Sequence, residues 1–133
     1  MPQIGLTNKD KEKLIHPELS YILTGILFSV HNTLGQFARE KQYGDLIEEK
    51  FKESGIKYIR EFYIGDTGNI IDFVIDNKII LELKTMRFLT QECYRQVQNY
   101  LQQTGLKLGI LVNFKNQYIK PVRVIKLDRF HNL

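Results

Sequence analysis

The stretch 69-NIIDFVIDNKIILELK-84 decides how this chain folds. Ile70 to Ile75 and Ile79 to Lys84 predict two strands, separated by the short turn Asp76-Asn77-Lys78. The first strand is apolar on both faces except at Asp72, where an ionised carboxylate costs several kcal/mol unless something compensates it. In the second, two-residue periodicity puts Ile79, Leu81 and Leu83 on one face and Ile80, Glu82 and Lys84 on the other. A hairpin centred on Asn77 sets residue 72 opposite residue 82. Asp72 and Glu82 then form a cross-strand carboxylate pair, about 5 Å apart at their β-carbons.

Two facing carboxylates repel each other, and a divalent cation between them reverses the sign. Mg²⁺ takes oxygen ligands and commonly binds one or two carboxylates together with phosphate and water. Lys84, beside Glu82, could orient or help deprotonate an attacking water and balance charge on phosphorus. The competing assignment makes Lys84 a half-buried ion-pair partner of Glu82 or Asp72. A D-x₉-E-x-K spacing recurs by chance, so its weight comes from its placement on adjacent apolar strands.

Downstream, Thr90 reads as the N-cap of a helix running to Thr104 and closed by Gly105. Cys93, Val97, Tyr100, Leu101 and Thr104 form its inward stripe, and Gln96 falls within that stripe. A glutamine there either bonds to the active-site face of the preceding strand or reaches solvent at the stripe's margin. Leu108 to Phe114 and Ile119 to Leu127 are further strands, the last at a sheet edge because of Pro121. Upstream, Gly65 to Asn69 is a turn and Lys57 to Ile64 a strand.

Pro17 opens a first helix whose Leu19, Ile22, Leu23, Ile26, Leu27, Val30 and Leu34 trace one apolar stripe, ended by Gly35. A second helix is predicted from Phe37 to Ser54, with Glu40, Tyr43, Ile47 and Phe51 on one face and Gly44 weakening its middle. From its pattern alone, Glu40 is either a further carboxylate for the site or an exposed helix residue. The predicted order is α-α-β-β-β-α-β-β. Residues 1–15 form a polar N-terminal segment and residues 16–133 one domain.

A length of 133 residues suits a single core. One cysteine, Cys93, excludes an internal disulfide and a zinc-ligand cluster, and fits a reducing compartment. His16, His31 and His131 are dispersed, and no phosphate-binding glycine motif is present. The opening residues lack a signal-peptide core, and Tyr21 to Val30 is about half the roughly 20 residues of a bilayer span. A cytoplasmic protein without a membrane anchor is expected. Charge is uneven: residues 1–83 carry 10 Lys/Arg against 13 Asp/Glu, whereas residues 84–133 carry 9 against 2. That basic half suits a polyanion, with Arg87, Arg95 and Lys115 as expected nucleic-acid contacts, or it is a solvated surface of uneven charge.

Three strings resemble the GxxExxY family, small prokaryotic members of the PD-(D/E)XK nuclease superfamily. They are HNTLGQFAREKQYGDLIEEKF, IIDFVIDNKIILELK and RQVQNYLQQTGLKLGILVNF. The resemblance covers roughly residues 16 to 126. It implies an α+β, restriction-endonuclease-like core of order α-β-β-β-α-β, with a mixed central sheet flanked by helices. It further implies Mg²⁺, with Mn²⁺ as a substitute, held by Asp72, Glu82 and the backbone carbonyl of Leu83. Lys84 would act at the water, and Glu40 and Gln96 would complete the site. The chain departs from the family at Phe37 (usually glycine), Cys93 (often histidine) and Ile70 (often arginine). The expected function is Mg²⁺-dependent hydrolysis of phosphodiesters in DNA, with RNA as the second candidate substrate. The alternatives are a catalytically silent nucleic-acid-binding module and an assembly subunit, for instance a homodimer.

Overall fold

The computed structural model describes residues 15–128, so the predicted polar N-terminal segment, Ile15 aside, lies outside the described residues, as do Arg129 and His131. Asp76 and Asn77 take positive φ angles of 51° and 52°, a region that Asp and Asn enter more readily than most residues. They fold β2 (Ile70–Ile75) back onto β3 (Ile79–Lys84). Ile75 pairs with Ile79, Val74 with Ile80 and Phe73 with Leu81, so the hairpin is centred on Asn77 as its sequence predicts.

Around this hairpin the sheet has the order β1-β2-β3-β4-β5. β1 (Tyr58–Tyr63) lies antiparallel on β2. β4 (Leu108–Asn113) runs parallel to β3, and β5 (Val122–Ile125) closes the far edge antiparallel to β4. Parallel neighbours need a crossover, which α3 (Gln91–Thr104) supplies. α1 (Pro17–Leu34) and α2 (Glu40–Glu53) precede the sheet. The result is the α+β arrangement of a mixed sheet flanked by helices that the resemblance implies.

Two apolar layers sandwich the sheet. On one face Leu23, Leu27 and Val30 of α1 and Tyr43, Ile47 and Phe51 of α2 pack on Phe73, Ile75, Ile79, Leu81 and Leu83. On the other, Cys93, Val97, Tyr100 and Leu101 of α3 pack on Ile71, Val74, Ile80 and Leu111. Cys93 is thus a core residue, as its place in the stripe suggested. Each such side chain adds about 1.5–3 kcal/mol when removed from water.

Gly109 sets how closely α3 approaches. A β-carbon built there would lie 2.5 Å from Cγ1 of Val97, which is itself fully buried. Gly109→Ala is therefore expected to destabilise the protein by about 1–3 kcal/mol through overpacking. The urea midpoint would fall accordingly, and an unchanged midpoint would refute the contact.

Three expectations need adjustment. α2 starts at Glu40 and not at Phe37, because residues 35–39 form a loop tied to the helix by side chains. In it the Tyr43 hydroxyl donates to Gly35 O and accepts from Ala38 N–H, while Gln42 Oε1 accepts from Arg39 N–H. Gly44 does not interrupt α2; it admits the Arg60 side chain, whose guanidinium a β-carbon would meet at 2.6 Å. β5 spans four residues and begins just after Pro121, although its edge position matches the prediction. Among the described residues no helix is long and apolar enough to cross a membrane.

Candidate active site

Asp72 breaks the alternation of β2. Ile71 packs against the α3 side and Phe73 against the α1–α2 side, whereas residues two apart in a regular strand share a face. The break is mirrored on β1. There Arg60 pairs with Phe73 and Phe62 with Ile71, but Glu61, between them, has φ of 54° and no partner in the ladder.

This irregularity interlocks the two carboxylates with the backbone. The Asp72 N–H donates to Glu82 Oε1 at 2.9 Å, and the Leu83 N–H donates to Asp72 Oδ2 at 2.8 Å. Each acid therefore occupies an amide donor on the opposite strand; the β2–β3 ladder ends at Phe73–Leu81, so these bonds link Asp72 and Glu82 in place of the directly opposed pair that the register predicts. Among the described residues no cation is in ion-pair contact with either carboxylate. Lys84 instead donates from Nζ to Gln96 Oε1 at 2.9 Å. Gln96 is thus turned towards the site, and its contact with Lys84 links α3 to the end of β3.

The electrostatics follow from burial. Glu82 is 3% exposed; desolvation, then the charge of Asp72, pushes its carboxyl up to about 8, against the pull of the Asp72 N–H and Lys84. Burial also raises Asp72, opposed by the Leu83 N–H. Glu40, the first residue of α2, is an exposed residue whose carboxyl is raised by partial desolvation and then by the charge of Asp72, with Lys84 opposing. Tyr100 is raised by burial and by the charges of Glu82 and Asp72. Glu40, Asp72, Glu82, Lys84 and Gln96 are thereby brought into one electrostatic neighbourhood.

Two cavities reach it. One, of about 510 Å³, is lined by Glu40, Gly44, Arg60, Asp72, Phe73 and Leu83 among others. The second, of about 390 Å³, is lined by Asn69, Lys84, Gln96, Asn99 and Tyr100 among others. Among the described residues no three of His, Cys, Asp and Glu gather as a metal cluster. The available donors are two carboxylates and main-chain oxygen, a hard set that suits Mg²⁺ with its remaining positions filled by water or phosphate. Glu82 is buried and Asp72 half-buried, neither with an ion-pair partner among the described residues, and a cation between them is favourable.

The three expected phosphate contacts are not in these cavities. The Arg87 guanidinium lies 5.3 Å from the ring centre of Phe88, and Lys115 is exposed just beyond β4. Arg95 is 3.7 Å from Glu92 and lines a different groove with Tyr94, Gln98 and Leu127.

Two contributors escaped the sequence. Arg60 lines the first cavity, held by Asp45 at 2.7 Å and Glu48 at 3.3 Å and lying 5.5 Å from the Phe73 ring centre. The signal was Gly44, whose missing side chain makes room for it. Asn113 is 2% exposed. Its Oδ1 accepts from the N–H groups of Met86 and Lys115 at 3.1 and 3.3 Å, and its Nδ2 donates to Met86 O at 2.7 Å. An amide ending an apolar strand was the available clue.

A family model described as the PD-(D/E)XK nuclease superfamily matches residues 17–125. No curated protein and no solved structure matches the chain.

Proposed function

Because the chain belongs to the PD-(D/E)XK nuclease superfamily, we propose that it is a Mg²⁺-dependent nuclease that hydrolyses phosphodiesters of DNA, with RNA as the alternative substrate. The observation that carries this reading is the interlocked pair of a buried Glu82 and a half-buried Asp72, without an ion-pair partner among the described residues. Asp72, Glu82 and the carbonyl of Leu83 are the residues that would hold the ion, with Mn²⁺ able to replace Mg²⁺. When bound, a divalent cation polarises the phosphoryl oxygen and lowers the pKa of water.

The chain's own groups have distinct tasks. Lys84 carries its ammonium to the end of β3, where it orients a water and offsets charge gathering on the phosphate. Gln96 holds that ammonium through Nζ···Oε1, so it is a positioning residue. Glu40, with its carboxyl raised, accepts a proton from the water or returns one to the leaving oxygen. The GxxExxY resemblance points to the same five side chains. Arg87, Arg95 and Lys115 are assigned to phosphate contacts outside the reacting centre.

The test is cleavage of labelled DNA and RNA with Mg²⁺, with Mn²⁺ and with chelator. Lys84→Ala should retain substrate binding in chelator and lose turnover; cleavage that survives it removes this site from consideration. Gln96→Leu should lower kcat by about 10- to 100-fold with little change in KM, as expected when a catalytic group is misplaced. Gln96→Glu should recover part of the loss, because it restores an acceptor for the Lys84 ammonium; equal loss in both variants would contradict the positioning role.

A further inference from the structure

Three loops of this protein, residues 35–39, 85–90 and 114–121, each expose a large aromatic side chain. Phe37 is 84% exposed, Phe88 69% and Tyr118 81%. Single exposed apolar residues are ordinary, but these three share a location. The first loop leads directly into Glu40, and the second leaves directly from Lys84. The third follows β4, which runs parallel to β3, so it starts at the same end of the sheet.

The loops are also fastened together. Gln36 Nε2 donates to Lys115 O at 3.4 Å, and His31 Nε2 bonds to Asn116 O at 2.9 Å, which ties the first loop and the end of α1 to the third. Tyr43 stacks on Phe114 with ring centres 4.2 Å apart, fixing α2 to the start of the third loop. Asn113 bonds to Met86 and Lys115 together, clamping the second loop to the third. Phe114 N–H donates to Lys84 O at 2.9 Å. The three loops therefore form one braced rim at the Lys84 end of the sheet, and each exposes its ring there.

Charge gives that rim its partner. The three loops contain Arg39, Arg87, Lys115 and Lys120 and no Asp or Glu. Arg87 lies over the Phe88 ring, so cation and π-face are already paired. Exposed aromatic faces interleaved with cations form a surface on which unpaired bases stack while the backbone is neutralised, without sequence preference. A duplex keeps its base faces stacked internally and gains only the charge contacts.

We propose that this rim is a stacking platform for unpaired nucleotides, so that the enzyme takes single-stranded or frayed polynucleotide and delivers the phosphate beside the stacked bases to Lys84 and Asp72. The assignment rests on the nuclease reading for its delivery step but not for its binding step. Stacking on Phe37, Phe88 and Tyr118 is what distinguishes the substrate from an intact helix.

The experiment measures fluorescence anisotropy of a labelled single-stranded DNA, a single-stranded RNA and a blunt DNA duplex in chelator, where no turnover occurs. The wild-type chain should bind both single strands at least about tenfold more tightly than the duplex. Phe37→Ala, Phe88→Ala and Tyr118→Ala should each weaken single-strand binding by about tenfold, on the scale of one lost stacking contact, and change duplex binding by less than about twofold. Unchanged melting temperatures would confirm that the variants fold. Equal affinity for single strands and duplex, or indifference to all three substitutions, would overturn the proposal. So would a wild-type dimer that the triple variant converts to monomer without loss of single-strand binding, since the rim would then serve a second copy of the chain. Single-strand binding that depends on these rings in a protein that never cleaves would sustain the platform and sink the nuclease reading alone.

Discussion

Asp72→Asn is expected to lower Mg²⁺-supported cleavage by about a hundred- to a thousandfold, the scale seen when one group that stabilises transition-state charge is removed. The same substitution should make the metal-free protein more stable at pH 8. Asparagine keeps an oxygen to accept from the Leu83 N–H, yet it removes the charge that helps to hold Glu82 protonated. The substitution thus separates catalytic loss from structural loss. Single-turnover cleavage and thermal melting, run on the same preparation, should move in opposite directions. A variant that loses activity and also melts lower would mean that Asp72 is mainly structural, and the proposed ion site would lose its support.

The second large effect concerns pH. Carboxyls raised in the folded state retain protons that the unfolded chain has released. Between the ordinary glutamate value of 4.5 and about 8, the native protein therefore binds more protons than the unfolded one, and stability falls as pH rises. Asp72 and Glu40 act in the same direction. Asp45 and Glu48, lowered chiefly by hydrogen bonds to Arg60 and Tyr58 respectively, lose their contribution only as pH falls below the carboxylate range. His16, lowered from 6.5 by burial, opposes the trend in mildly acidic solution. The interval from pH 7 to 8.5 isolates Glu82, and there the metal-free melting temperature should decline. Mg²⁺ should reverse the decline, because the ligands must be deprotonated to bind it. Glu82→Gln should flatten the profile while preserving an acceptor for the Asp72 N–H. A wild-type melting temperature constant across that interval would contradict the burial assigned to Glu82.

The hairpin was legible in the sequence because its information is local. Turn residues at Asp76 and Asn77 set the register, and strand periodicity set the company of Glu82 and Lys84. Helix α3 was legible for a similar reason: Thr90, the apolar stripe and Gly105 mark its limits. The kink at Asp72 was not, since it arises from hydrogen bonds between side chains and the backbone of another strand. Gln98 went unnoticed among the helix polar residues, although it is 6% exposed and bonds to Ile125 O and Leu127 N–H. Ile125 and Leu127 lie more than twenty residues away, beyond the reach of any periodicity; only Gln102, which donates to Gln98 Oε1, stands one helical turn on. Asn113 finds Met86, and Arg60 finds Asp45 and Glu48, through the topology of the chain and not through a strand or helix period. The start of α2 at Glu40 was not legible either, because the Tyr43 hydroxyl and the Gln42 side chain hold the preceding residues out of the helix.

The two backbone amides bonded to the acids give the protein a built-in reporter. The N–H groups of Asp72 and Leu83 face carboxylate oxygens where a regular sheet would offer carbonyls. Any event that draws electron density from those oxygens, whether protonation or capture of a cation, weakens the amide bonds to them. In a ¹⁵N-labelled sample these two resonances should shift first during a Mg²⁺ titration, before any nucleic acid is added. Filling of the centre could thus be followed without turnover, on a timescale and at a position that no cleavage assay resolves.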